Sequence, residues 1–231
     1  MASKQSEANS LGLIESLYNS VNANRNSVRS NYSFSKKSML LMPKTRGFKM
    51  ASLNIASVPK HIDEIRLLLN DQSPDLICFN ETRLDSTISS GEMYINGYDL
   101  VRRDRKRKGG GACIYLKNTV NYKNRKDLVP PELEAVCVEI SKPNSKPFIV
   151  ITIYRPPDSS TEYFDKVEEF IATIDSLDRE FYILGDLNCN WLQPADPVTK
   201  RLKTFCDLYQ LLQLINEPTR ITETSSSLLD V

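Results

Sequence analysis

The order of apolar runs along this chain predicts an α/β fold, with mixed β-sheets carrying helices on their outer faces. Three observations carry the prediction. Short apolar runs rich in β-branched and aromatic residues recur, and several end on a polar side chain. Apolar stripes at helical spacing stand between some of them. The sequence of elements is strand–helix–strand, a block of strands, helix–strand–helix, and a strand.

The first strand covers residues 48–55. Pro59 opens a helix, where its missing N–H costs nothing and its fixed φ suits the first turn. Ile62, Ile65, Leu68 and Leu69 form that helix's apolar stripe. Residues 75–81 are the next strand. Residues 98–103 and 112–117 pair antiparallel around a basic, glycine-rich turn. Residues 134–141 and 147–154 make another pair, joined at Lys142 to Lys146. Tyr163, Val167, Phe170 and Ile174 mark a second helix. A buried strand then ends at Asp186, its apolar run broken by Gly185. Residues 198–212 read as an amphipathic helix with Leu202, Phe205, Leu208 and Leu212 on one stripe, and residues 221–231 begin a last strand.

The 231 residues suffice for one domain with a real core. Net charge is +1, so no global field recruits a polyanion. Residues 1–46 carry seven Lys and Arg against two Glu, leaving residues 47–231 mildly acidic. That segment is rich in Ser and Asn with little periodicity, and reads as a disordered basic tail ahead of a domain over 47–231. The five cysteines are odd in number and lack C-x-x-C spacing, so they are expected as free thiols, three of them in strands. No stretch approaches the ~18 apolar residues of a membrane span.

Four polar groups fall at strand exits: Asn54, Glu81, Tyr154 and Asp186, with Asn188 two residues further on. Strand ends hold side chains rigidly while facing solvent, and α/β proteins build sites there. Cleaving a phosphodiester needs neutralised phosphoryl oxygens, an aimed and deprotonated water, and a stabilised leaving oxygen. Glu81 suits a Mg²⁺ ion, which takes oxygen ligands and keeps most of its waters. Asp186 suits a proton acceptor. Asn54 and Asn188 can orient without adding charge, and Tyr154 can donate its hydroxyl to a phosphate oxygen. Singly, each has a plainer reading: a solvated strand terminus, an Asx turn, a packing tyrosine. The run Arg102, Arg103, Arg105, Lys106, Arg107 and Lys108 is either a grip on a DNA backbone or a solvated hairpin tip. Trp191 has the same two readings, DNA contact or packing. His61, the only histidine, reads as a surface residue at a helix start.

Five motifs stand in order: Leu53-Asn54-Ile55, Phe79-Asn80-Glu81-Thr82-Arg83-Leu84, Gly109-Gly110-Gly111-Ala112-Cys113, Tyr154-Arg155-Pro156-Pro157 and Gly185-Asp186-Leu187-Asn188. In that order and spacing they resemble the endonuclease/exonuclease/phosphatase (DNase I-like) family over residues 47–231. More narrowly, with Glu217-Pro218-Thr219-Arg220 and Leu228-Leu229-Asp230, they resemble the apurinic-type endonuclease domain of non-LTR (LINE-like) retrotransposons. The resemblance implies a four-layer sandwich of two mixed β-sheets with helices on the outer faces. It implies Mg²⁺- or Mn²⁺-dependent hydrolysis, with Glu81 and Asn54 at the metal, Tyr154 on the phosphate, and Asp186 and Asn188 on the water. Asp230 matches the acid that orients a histidine in a terminal Ser-Asp-His motif. DNA is the implied partner, a reverse-transcriptase domain the implied neighbour, and the inside of the cell, in the nucleus, the implied place of action. The chain departs from the family in having no histidine after His61. It is therefore expected to be C-terminally incomplete, lacking the fold's final strands, impaired in catalysis and prone to aggregate. An inactive retroelement-derived fragment and a phosphatase of the same fold are the alternatives.

Overall fold

A computed structural model of the chain describes residues 46–105, 109–221 and 226–230. The N-terminal tail up to residue 45, and Lys106, Arg107 and Lys108 of the basic run, lie outside the described residues.

Two four-stranded mixed sheets form the centre. The first contains β1 (Met50–Asn54), β2 (Leu76–Asn80), β3 (Tyr98–Arg103) and β4 (Ala112–Lys117), in the order β1-β2-β4-β3. The second contains β5 (Asn121–Asn124), β6 (Glu134–Ser141), β7 (Phe148–Tyr154) and β8 (Phe181–Asp186), in that order. Each sheet has one parallel pair, β1 with β2 and β7 with β8, and its other pairs are antiparallel. A parallel pair needs a long crossover, and a helix supplies it in both cases. These are α1 (Val58–Gln72) and α2 (Tyr163–Asp175). A third helix, α3 (Pro197–Leu208), follows β8. Two further short strands, β9 (Arg220–Ile221) and β10 (Ser226–Ser227), pair antiparallel.

Three apolar layers hold these elements as a four-layer sandwich. Val58, Ile65 and Leu69 of α1 pack on Leu53, Phe79 and Tyr115 of the first sheet. Between the sheets lie Leu76, Cys78, Ile114, Val138, Val150 and Leu184. Phe164, Phe170 and Ile171 of α2, with Leu202 and Phe205 of α3, cover Cys137, Ile151 and Ile153 of the second sheet. Strands buried on both faces read as unbroken apolar runs, which is why β2 and β7 are so legible in the sequence.

Local chemistry sets the helix ends. The Ser57 hydroxyl accepts the Lys60 N–H at 3.4 Å and caps α1, and Ser73 ends it in the left-handed conformation. Asp196 caps α3 by accepting the Thr199 N–H at 2.8 Å. The helix expected to reach residue 212 stops at Leu208. Gln210 turns left-handed at φ 52°, and the Leu211 N–H donates to the Cys206 carbonyl at 2.8 Å. Leu208 and Leu212 consequently face solvent, while Leu202 and Phe205 keep the buried stripe. The expected last strand is also different. The chain forms the β9–β10 pair, then touches the second sheet through one antiparallel bridge, Asp186 with Asp230.

Candidate active site

The two sheets place β1 opposite β8 and β2 opposite β7, so the C-terminal ends of all four strands share one rim. Asn54 closes β1, Glu81 follows β2, Tyr154 closes β7 and Asp186 closes β8. The Asn54 Nδ2 donates to Glu81 Oε1 and to Asp186 Oδ2, both at 2.8 Å. One carboxamide thus joins acids from different sheets, 132 residues apart in the second case. Asn54 is itself fixed, because its Oδ1 accepts the Ala56 N–H at 3.2 Å.

Glu81 and Arg83 adopt φ of 52°, a left-handed conformation that non-glycine residues hold only when their surroundings impose it. Those surroundings are visible. The Thr82 carbonyl accepts from Val58 N at 2.9 Å, and the Gly110 carbonyl accepts from Arg83 N at 3.0 Å. An Arg83 guanidinium nitrogen lies 3.9 Å from a Glu81 carboxylate oxygen.

Asp186 is buried. Its Oδ1 accepts the Asn188 N–H at 2.9 Å, and the Asn188 Nδ2 donates to the Arg155 carbonyl at 2.7 Å. Gly185 makes this end possible: at φ +136°, an added Cβ would sit 2.1 Å from the Ile153 carbonyl oxygen of the neighbouring strand. Asp230 is buried against Asp186, and Thr219 hydrogen-bonds its side chain. The Thr219 hydroxyl also accepts the Leu229 N–H at 3.1 Å. Burial, and then the charge of its neighbour, push the Asp230 pKa up. Burial likewise raises that of Asp186, against the opposing bonds from Asn54 and Asn188. The Tyr154 hydroxyl is pushed to about 12, by burial first and then by the negative charges of Glu81 and Asp186. It therefore stays a proton donor throughout the neutral range.

The metal-binding atoms this rim offers are oxygens: the carboxylates of Glu81, Asp186 and Asp230 and the side-chain carbonyl of Asn188, while Asn54 turns its Nδ2 to the two acids. That set fits a hard divalent cation and suits neither zinc nor copper. Among the described residues no group of three His, Cys, Asp or Glu is placed to cage a metal. Mg²⁺ does not require one, since it binds through one or two carboxylates and retains waters.

Other residues singled out in the sequence fall elsewhere. Arg102 is turned into the fold. It bonds Asp104 at 2.7 Å and the carbonyls of Asp85 and Ile88 at 2.9 and 3.0 Å. Arg103 donates to the Pro131 carbonyl at 2.6 Å, and Arg105 pairs with Glu134 at 3.1 Å. These three line a cavity of about 400 Å³ between the end of β3 and the start of β6. Trp191 packs, with Lys203 Nζ 5.0 Å over its ring. His61 stands on α1 beside Glu64, at 3.8 Å.

Sequence reading passed over two residues that build the rim. Arg155 is almost wholly buried; its guanidinium donates to the carbonyls of Leu187 and Ser159 and lies over the Phe164 ring. Thr219 organises Asp230. Both sit inside motifs noted in the sequence, but nothing local marks a tertiary role.

Comparison with known proteins agrees with this architecture. The endonuclease domain of TRAS1, a telomere-specific non-LTR retrotransposon, has a TM-score of 0.56 at 12% identity, with 78% of this chain and 80% of that one covered. The 3′ phosphatase NExo from Neisseria, solved bound to a product DNA hairpin, gives 0.53 at 18% identity over 70% and 71% of the two chains. The catalytic domain of Xenopus laevis APE2 gives 0.53 at 15% identity over 68% and 67%. Likeness at these identities is one of fold. No curated protein matches the sequence. Residues 51–209, which include Asn54, Glu81, Tyr154, Asp186 and Asn188, match the family described as Endonuclease/Exonuclease/phosphatase, and the chain belongs to that family.

Proposed function

We propose that this chain hydrolyses phosphodiester bonds in DNA with a divalent cation, Mg²⁺ or Mn²⁺, as a nicking endonuclease of the non-LTR retrotransposon type. The observation that carries the reading is the Asn54 carboxamide held 2.8 Å from both Glu81 and Asp186, on a rim shared with Tyr154, Asn188 and Asp230. Glu81, with Asn54 beside it, is the group that would hold the cation. When bound, such an ion neutralises phosphate charge and acidifies a coordinated water.

The chain's own groups divide the remaining work. Asp186 takes the proton of the attacking water, and its raised pKa brings it nearer to a base that works at neutral pH. Asn188, anchored on Arg155, orients that water. Tyr154 keeps its proton and donates to a phosphate oxygen. Asp230 stands behind Asp186 as a second acid. Arg103 and Arg105, on one flank, supply backbone phosphate contacts, and the charges of Lys106, Arg107 and Lys108 in the same basic run add to their pull on DNA. Tyr154-Arg155-Pro156-Pro157 and Pro218-Thr219-Arg220 favour the retroelement branch, and the fold likeness to the TRAS1 endonuclease domain is in keeping with it. The resemblance to retroelement endonucleases is what supports the nucleus as the place of action.

Supercoiled plasmid should relax to open circles with Mg²⁺ and remain supercoiled with chelator. Glu81→Ala and Asp186→Asn should each slow nicking by roughly 10²–10⁴-fold. Intact plasmid alongside inorganic phosphate released from small phosphoesters would make this chain a phosphatase of the same fold. Neither product would end the catalytic reading.

A further inference from the structure

Glu134 opens β6 directly across from Tyr154 of β7, on the flank of the rim. Its carboxylate does two things. Oε2 accepts the Gly111 N–H at 2.6 Å, and Oε1 pairs with Arg105 at 3.1 Å. The glycine turn it grips is in turn bonded to the segment after β2. The Gly111 carbonyl accepts the Thr82 N–H at 3.3 Å, and the Gly110 carbonyl accepts the Arg83 N–H at 3.0 Å. These are the two residues following Glu81, and Glu81 and Arg83 are both left-handed. A Cβ on Gly110 would lie 2.4 Å from Glu134 Oε2, and one on Gly111 would lie 2.5 Å from Thr82 Oγ1. At φ of +74° and +87° both positions favour glycine, and a side chain at either would push the Glu134 or Thr82 side chain out of its present contact.

We infer that Glu134 is a positioning residue: through the Gly110–Gly111 turn it holds Glu81 in the conformation that presents its carboxylate to Asn54, and so sets the rim's affinity for a divalent cation. The inference rests on the reading of Glu81 as a cation ligand. Glycines 109–111 carry no side chains to anchor themselves, and among the described residues the bond to Glu134 ties the turn to a side chain. Without it, the carbonyls that fix Thr82 and Arg83 lose their register, and the left-handed Glu81 loses the restraint from the glycine turn. The bonds from Val58 N to the Thr82 carbonyl and from Asn54 to the Glu81 carboxylate remain.

The test compares wild type with Glu134→Ala, Glu134→Gln and Arg105→Ala by two readouts. One is amide hydrogen exchange at Thr82 and Arg83. The other is Mn²⁺ binding followed by electron paramagnetic resonance, which needs no turnover. Glu134→Ala should speed exchange at both amides and weaken Mn²⁺ by about 10- to 100-fold, the range for losing a partner that orients a metal ligand. Glu134→Gln keeps an oxygen for the Gly111 N–H and should stay near wild type, as should Arg105→Ala. Should Glu134→Ala not fold, Glu134→Asp, one methylene too short to reach Gly111, gives the same comparison. Wild-type exchange at Thr82 and Arg83 in a folded Glu134→Ala protein overturns the inference. If Mn²⁺ fails to bind wild type, the reading of Glu81 as a ligand falls, while the exchange data still decide whether Glu134 holds its segment.

Discussion

At the residue scale, the rim turns on one neutral side chain placed between two acids. Asn54 donates to both Glu81 and Asp186, so Asn54→Asp would exchange two charge-assisted bonds for a third negative charge. In chelator the melting temperature should drop by roughly 5–10 °C, a few kcal/mol for a chain of this size. Added Mg²⁺ should recover more of the loss than it adds to wild type; equal gains in scanning calorimetry would count against the site. Asp230 supplies a pH prediction. Its folded pKa lies above the ordinary carboxylate value, so the native state holds a proton that the unfolded chain releases first. Stability from this group is present at low pH and lost as pH rises from about 4 through the raised value. Asp230→Asn should therefore stabilise the protein at pH 8 and make little difference near pH 4, as read by urea unfolding at both pH values. Strand-end polarity made Asn54, Glu81 and Asp186 visible in the sequence, because a run of apolar residues that stops on an acid is a local signal. Glu134, Arg155 and Thr219 gave no such signal. Their roles are hydrogen bonds to residues 23, 32 and 10 positions away, created only when strands pair.

At the scale of elements, β7 and β8 can run side by side as far as Asp186 only because residue 185 lacks a side chain. Gly185→Ala would press a methyl onto the Ile153 carbonyl, backbone against backbone, with no rotamer to relieve it. A cost of about 3 kcal/mol is expected. Gly97→Ala is the control: its φ of +80° is equally left-handed, but nothing lies within 4 Å, so about 1–2 kcal/mol should be lost. Equal urea midpoints for the two would refute the close-approach argument. On α3, Phe205→Ala should cost about 3–5 kcal/mol and Leu208→Ala close to nothing, because only Phe205 is buried. Strands buried on both faces, and the helix starts read at Pro59 and residue 198, were legible within a residue or two. The edge strand β5 was not: Asn121–Asn124 is polar and mostly exposed, and pairing with β6 rather than burial makes it a strand. The end of α3 was hidden for a different reason. Leu208 and Leu212 continue the helical spacing past the point where Gln210 has turned the backbone.

At the scale of the whole molecule, burial has raised the pKa of groups in every layer. Cys78, Cys137 and Cys189 are each pushed by burial from 9.0 to about 12, and Tyr98 rises from 10.0 to about 12. Between the ordinary and raised values the folded protein holds protons that the unfolded chain gives up. Stability should therefore decline steadily from about pH 9 towards pH 12. Guanidinium unfolding at stepped alkaline pH would show it as a falling midpoint; a flat midpoint to pH 11 would contradict it. No helix among the described residues is long and apolar enough to cross a membrane. The same cysteines have a practical consequence. Cys113 lies under α1, Cys78 between the two sheets, and Cys137 and Cys189 beneath α2 and α3, all as unpaired thiols. A thiol shut away from water reacts with an alkylating reagent only while its surroundings are open. Pulsed labelling in mild denaturant, read by mass spectrometry, would give each layer its own clock, and the order in which the four sulfurs react would be the order in which the sandwich comes apart.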